Sequence, residues 1–105
     1  MCKDPLEVLA KKLDALGHPL RLRILALLAK EGRSMYLSEI ASLLGISRAL
    51  AKVHLRKLEK AGLVRSRVVL VEGEARALRF YEIIDFELRI SSDTLKNLWG
   101  GKYEK

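Results

Sequence analysis

The stretch that most constrains this chain is Ser47 to Gly62, SRALAKVHLRKLEKAG. Ser47 suits a helix N-cap, where its hydroxyl accepts a free backbone N–H of the first turn. Gly62 suits the left-handed backbone that ends a helix. Between them the side chains sort at a period of 3.6. Leu50, Ala51, His54, Leu55, Leu58 and Ala61 fall on one side, and Arg48, Lys52, Arg56 and Lys60 fall on the other. At 1.5 Å per residue this predicts a cationic ridge about 18 Å long riding on an apolar keel. Like charges four residues apart oppose an isolated helix, so a face that needed only solubility would mix its signs.

Most charged helix ridges are simply solvated, and it is the concentration of charge here that argues for more. The chain carries a net +7. Residues 45–67 hold seven basic side chains (Arg48, Lys52, Arg56, Lys57, Lys60, Arg65, Arg67) against Glu59, a net of +6. Residues 1–44 contribute +2 and residues 68–105 contribute −1. A polyanionic partner accounts for such focusing, whereas general solubility does not.

Bulk properties narrow the remaining classes. A chain of 105 residues, half of them apolar and 31% charged, makes one globular domain or one protomer of a small oligomer. There is no apolar run long enough to span a bilayer and no signal-peptide pattern. Cys2 is the sole cysteine, so no internal disulfide can form, and a cytoplasmic location is expected. Gln is absent and Asn97 is the one Asn, a thermophile-like bias. His18 and His54 lack a third ligand or a Cys cluster, so no metal and no cofactor is expected. His54 reads as a hydrogen-bonded keel residue and His18 as a cap or an exposed ring. Asp85 and Glu87 share a strand face but read as structural acids. With no Gly-rich phosphate loop, nucleophile elbow or activated Cys–His pair, the chain is not expected to be an enzyme.

The rest of the chain frames that helix. Asp4-Pro5-Leu6-Glu7 opens a helix with a capping Asp and Pro at its first position, and Leu6, Leu9, Leu13 and Leu16 form its stripe up to Gly17. His18-Pro19 starts a second helix with Leu20, Ile24, Leu27 and Leu28 inward, ending before Gly32. Ser34–Leu37 is a short extended piece, and Ser38 is expected to cap a third helix with Ile40, Leu43 and Leu44 packed inward. Gly45-Ile46 then turns into Ser47. Two short helices joined by a Gly-containing turn, the second one basic, form the helix-turn-helix pattern. After Gly62 the period becomes 2. Leu63–Val71 and Ala77–Ile84 are paired strands with a tip at Glu72-Gly73-Glu74, and the alternation through Phe86, Leu88 and Ile90 continues the second strand past a bulge. Val68–Val71 is apolar on both faces and packs either on the first helix or on a partner. Ser91/Ser92 caps a last helix bearing Leu95, Leu98 and Trp99.

LDALGHPLRLRILALL followed by LSEIASLLGISRALAKVHLRKLEKAGLV resembles the ArsR-type winged-helix regulators over about Leu13 to Ile84. The resemblance implies a homodimeric repressor with the 47–61 helix in the major groove and the 65–79 hairpin against the adjacent backbone. By position it assigns base contacts to Arg48, Ala49, Lys52, Val53 and Arg56. Metal-sensing members carry a Cys pair where this chain has Tyr36 and Ser38, so metal sensing does not carry over. The acidic tip, Glu72 and Glu74, directs phosphate contact to Arg67, Arg76 and Arg79 lower on the hairpin.

The expected fold is α+β, mainly α: a single winged helix-turn-helix domain over 1–99 and a flexible tail at 100–105. Within it lie an N-terminal helix (1–16), the helix-turn-helix (38–61), the wing hairpin (63–84) and a C-terminal helix (92–99). The expected function is sequence-specific binding of double-stranded DNA as a homodimer, with no membrane association. Ser47, Arg48, Ala49, Lys52, Val53, Arg56, Lys60, Arg67, Arg76 and Arg79 are the candidate DNA-binding residues. Leu6, Leu9, Leu13, Leu95, Leu98 and Trp99, which a three-helix core with a wing does not need, are the candidate dimer interface. A protein-docking winged helix and a sequence-blind architectural DNA-binding protein are the alternatives. No effector is legible.

Overall fold

The computed structural model describes residues 4–70, 72–73 and 77–100. The expectations for Cys2, Val71, Glu74, Arg76 and the tail beyond Gly100 lie outside the described residues. The element order is α1 (Pro5–Leu16), α2 (Pro19–Glu31), β1 (Met35–Tyr36), α3 (Leu37–Leu44), α4 (Arg48–Lys60), β2 (Val64–Leu70), β3 (Ala77–Ile83) and α5 (Ser92–Leu98). It is a mainly helical α+β fold.

Local chemistry starts each helix. The Asp4 carboxylate accepts from the Leu6 N–H at 3.0 Å, His18 Nδ1 from Leu20 at 3.1 Å, and Ser47 Oγ from Leu50 at 3.0 Å. Pro5 and Pro19 occupy first-turn positions whose N–H would have had no partner. The third helix departs from expectation. It begins at Leu37 with Tyr36 in the cap position and no side-chain cap, so Ser38 lies inside the first turn, and Leu43, expected inward, is 59% exposed because Ile40 and Ala41 form the buried face. Its N-terminus is tied instead through Glu39, which Arg33 grips at 2.6 Å. That hydrogen bond holds the Glu39 carboxyl below the ordinary carboxylate range.

The three strands form one antiparallel sheet in the order β1-β3-β2. Ser66 faces Tyr81 and Arg67 faces Phe80 across β2 and β3. The core is closed by Ile24 and Leu28 of α2, Met35 of β1, Ile40 of α3, Leu55 and Leu58 of α4, and Leu63 and Val64 at the sheet's start. The inner side of α4 buries Ala51, His54, Leu55 and Leu58. Leu50, expected on that keel, is 42% exposed, because it lies about 100° round the helix from Ala51 and falls on the flank.

A second departure follows Ile83. The Ile84 N–H donates to Leu63 O at 2.9 Å, and residues 84–90 then leave the sheet. Opposite them the chain has already turned into the end of α4, so the alternation of Phe86, Leu88 and Ile90 finds no strand to pair with. The Cα radius of gyration is 16.9 Å, against about 13 Å for a compact domain of this length. Val68 and Leu70, 53% and 80% exposed, stand clear of the body, and no residue of α5 is buried.

The enclosed Leu55 and the flank Leu50 make a direct comparison. Leu55→Ala should lower unfolding free energy by about 2–5 kcal/mol, and Leu50→Ala by about 0.5 kcal/mol, read by denaturant titration at fixed protein concentration.

Candidate nucleic-acid interface

The turn between α3 and α4 fixes how α4 is presented. Gly45 ends α3 at φ +68°, where its N–H and that of Ile46 both reach the Ala41 carbonyl. A Cβ at Gly45 would meet nothing within 4 Å, so the positive φ, rather than space, calls for glycine. Ser47 then caps α4, which leaves Arg48, Ala49, Lys52, Val53 and Arg56 exposed along its outer side. Val53, 62% exposed, is the most exposed large apolar side chain of the helix.

The expected straight ridge winds. Four residues turn an α-helix by about 400°, so each i+4 step drifts by about 40°. Lys52 and Arg56 line a cleft on the hairpin side, whereas Lys60 lies beside Lys11 and Lys12 on the α1 side. The other cations of the segment separate too. Lys57 pairs with Asp14 of α1 at 3.4 Å and Arg65 with Glu82 of β3 at 3.3 Å. Arg67 points to the sheet face away from α4, 5.7 Å from the Phe80 ring centroid and 3.5 Å from Ser34 Oγ. The lysines and arginines between Gly45 and Val68 therefore form several groups instead of one continuous patch. The group on α4 comprises Arg48, Lys52 and Arg56.

Arg79 joins that group from the hairpin. With Lys52, Arg56, Glu59 and Tyr81 it lines a cleft of about 240 Å³ between α4 and β3. A short relay holds it: Arg79 Nη1 donates to Ser66 Oγ at 3.0 Å, and that hydroxyl donates to Glu59 Oε2 at 2.8 Å. Tyr81 is 3% exposed, and burial raises its phenol above the ordinary value. Sequence reasoning missed Glu59, Ser66 and Tyr81. Their one available signal was the register that sets Ser66 opposite Tyr81, two residues from Arg79, on the face toward α4.

Beneath α4 lies a polar junction. Arg21 Nε donates to Ala15 O at 2.7 Å and Nη2 to Asp14 O at 3.4 Å, closing the C-terminus of α1, while Nη1 lies 3.3 Å from His54 Nδ1. A guanidinium only donates, so His54 accepts at Nδ1 and is neutral. His18 packs against it, with ring centroids 4.5 Å apart and the rings tilted by 47°. Burial, then the neighbouring His18 and Arg21, holds His54 below the ordinary imidazole value. Among the described residues no group of three or more His, Cys, Asp and Glu could hold a metal ion, and no helix is long and apolar enough to cross a membrane.

Residues 16–67, from the end of α1 through the Arg67 strand, match the family model described as a helix-turn-helix domain. An HTH-type transcriptional regulator of Methanocaldococcus jannaschii is 42% identical over 86 residues, spanning 82% of this chain and 86% of that protein. This chain belongs to the helix-turn-helix transcriptional regulators. Solved structures place it among the winged helices. A transcriptional regulator homologue from Pyrococcus horikoshii matches at TM-score 0.62 and 28% identity, over 92% of this chain and 87% of that one. The homodimeric winged helix-turn-helix DNA-binding domain of a possible ArsR-family regulator from Mycobacterium bovis matches at TM-score 0.62 and 26% identity, over 93% and 82%. The ArsR-type resemblance is thus matched in fold by a solved neighbour that is itself described as a possible ArsR-family regulator.

The His54 junction sets a pH dependence. Its folded pKa is depressed, so as pH falls through the ordinary imidazole value the unfolded chain takes up a proton that the folded chain refuses. Stability is therefore full above about pH 6.5 and declines below it. Denaturant unfolding between about pH 7.5 and about pH 5.5 should show this decline, and His54→Leu should flatten it.

Proposed function

We propose that this chain is a homodimeric, sequence-specific duplex-DNA-binding regulator that acts as a repressor, with α4 in the major groove. The observation that carries the reading is the outer side of α4, where Arg48, Lys52 and Arg56 are exposed around Ala49 and Val53. Cations there meet phosphates and guanine edges, and the small apolar pair between them suits thymine methyl groups. Arg48 and Lys52, nearest the helix N-terminus, reach base edges. Arg56 holds backbone and sets register, with Lys60, Arg67 and the hairpin's Arg76 and Arg79 as further backbone candidates. Ser47 keeps its hydroxyl on its own helix as a cap.

Dimerisation draws support from the homodimeric relative and from apolar surface left open at both ends of the chain. α1 packs on α5 within the protomer, yet Leu13 remains 40% exposed, Leu95 41% and Trp99 44%. With the partly exposed Leu6, Leu9 and Leu98, they make a self-complementary two-fold seam. Such a dimer sets its two reading helices about 34 Å apart, on half-sites one turn of duplex from each other.

Selection of bound genomic fragments tests the function, and should return roughly palindromic sites. If about six phosphates are neutralised, log K should fall with log salt at a slope near −5. Equal recovery of all fragments would favour the architectural alternative, and no duplex binding at low salt would favour the protein-docking one. For the seam, Leu13→Glu combined with Leu95→Glu should shift sedimentation from dimer to monomer and weaken duplex binding in parallel.

A further inference from the structure

Arg79 and Tyr81 leave β3 on the face toward α4, where they meet Lys52 and Arg56 across the cleft. Tyr81 is the unusual member. It is 97% buried by its neighbours, being 3% exposed, yet its hydroxyl makes no hydrogen bond to any described residue. No buried side-chain oxygen or nitrogen among the described residues lacks a partner. The phenolic oxygen must therefore reach solvent, and the cleft it lines is where it does so. Burial keeps the phenol protonated, so it offers the cleft an O–H donor. Three cations and one neutral donor converge there. Glu59 is the one acid in the lining, and its Oε2 is engaged by Ser66, the hydroxyl that also accepts from Arg79.

We propose that this cleft is a seat for a single phosphodiester of the duplex backbone, held at once by helix (Arg56), wing (Arg79) and the Tyr81 hydroxyl. The inference rests on the DNA-binding reading above and deepens it. Tetrahedral phosphate is the chemistry recognised. A diester of bound duplex is the favoured source because Lys52 and Arg56 continue the exposed row that begins at Arg48 on the same helix. Ser66 and Glu59 are positioning residues: they fix the Arg79 guanidinium over the cleft and do not touch the phosphate. The seat ties the hairpin to the reading helix through one shared anion, so the wing grips backbone next to the bases that α4 reads.

The neutral donor separates this seat from general electrostatics. Binding of a short mixed-sequence duplex is followed by fluorescence anisotropy across a salt titration, in parallel with thermal unfolding. Tyr81→Phe should weaken binding about tenfold, the size of one hydrogen bond to a charged group, with the salt slope unchanged. Arg79→Gln should weaken binding and also flatten the slope by about 0.9 per seat. Ser66→Ala should weaken binding with the melting temperature retained, and Ser66→Thr, which restores the hydroxyl, should recover it.

Tight wild-type binding that Tyr81→Phe leaves unchanged overturns the seat and leaves the DNA-binding reading standing. Failure of the wild type to bind duplex overturns both. Tight, saturable binding of inorganic phosphate to the wild type without DNA, lost in Tyr81→Phe, overturns the diester assignment in favour of a free-phosphate site.

Discussion

The presentation of α4 depends on what lies under it. Ala51, Leu55 and Leu58 press into the core, but the geometry of that contact is set by Arg21. This one guanidinium satisfies the Ala15 and Asp14 carbonyls at the end of α1 and reaches the His54 ring of α4. A charged group taken out of water is costly unless its donors are matched, and here the matching partners belong to two different helices. Dispersion forces alone would allow α4 to slide or roll over a leucine-rich surface. A planar fork of directed donors does not, and it fixes the outer row of Arg48, Lys52 and Arg56 relative to the rest of the domain.

Much of this was legible in the residues. Caps at Asp4, His18 and Ser47, stops at Gly17, Gly45 and Gly62, and the change of period after Gly62 are local signals, and each element they mark is present. The misreadings share a cause. Ser38 has the right residue type for a cap, but Tyr36–Phe80 strand pairing starts α3 two residues sooner and Arg33 secures its N-terminus. Phe86, Leu88 and Ile90 alternate like a strand, but a strand requires a neighbour and none is available. In both cases a tertiary partner overrode a local preference.

The basic segment was legible in outline and its geometry was not, for the same reason. Counting cations along residues 45–67 located the basic segment, but a count carries no direction. Helical drift turns Lys60 toward α1, Glu82 and Asp14 neutralise Arg65 and Lys57, and strand alternation sends Arg67 and Arg79 to opposite faces of the hairpin. Tyr81 looked like an ordinary strand aromatic. Only the pairing register, a long-range property, brings it beside Ser66 and under α4.

The junction between α4 and the hairpin is very short. Lys60 ends the helix and Val64 begins β2; between them Gly62 turns at φ +78° while the Leu63 N–H closes back onto Leu58 O. This connection leaves little chain to absorb motion between α4 and the hairpin. The two parts cannot be retuned independently. On the proposed DNA-binding reading, a lineage acquiring a new operator inherits the old spacing between groove and flanking backbone, and its freedom lies in exchanging side chains on a fixed frame.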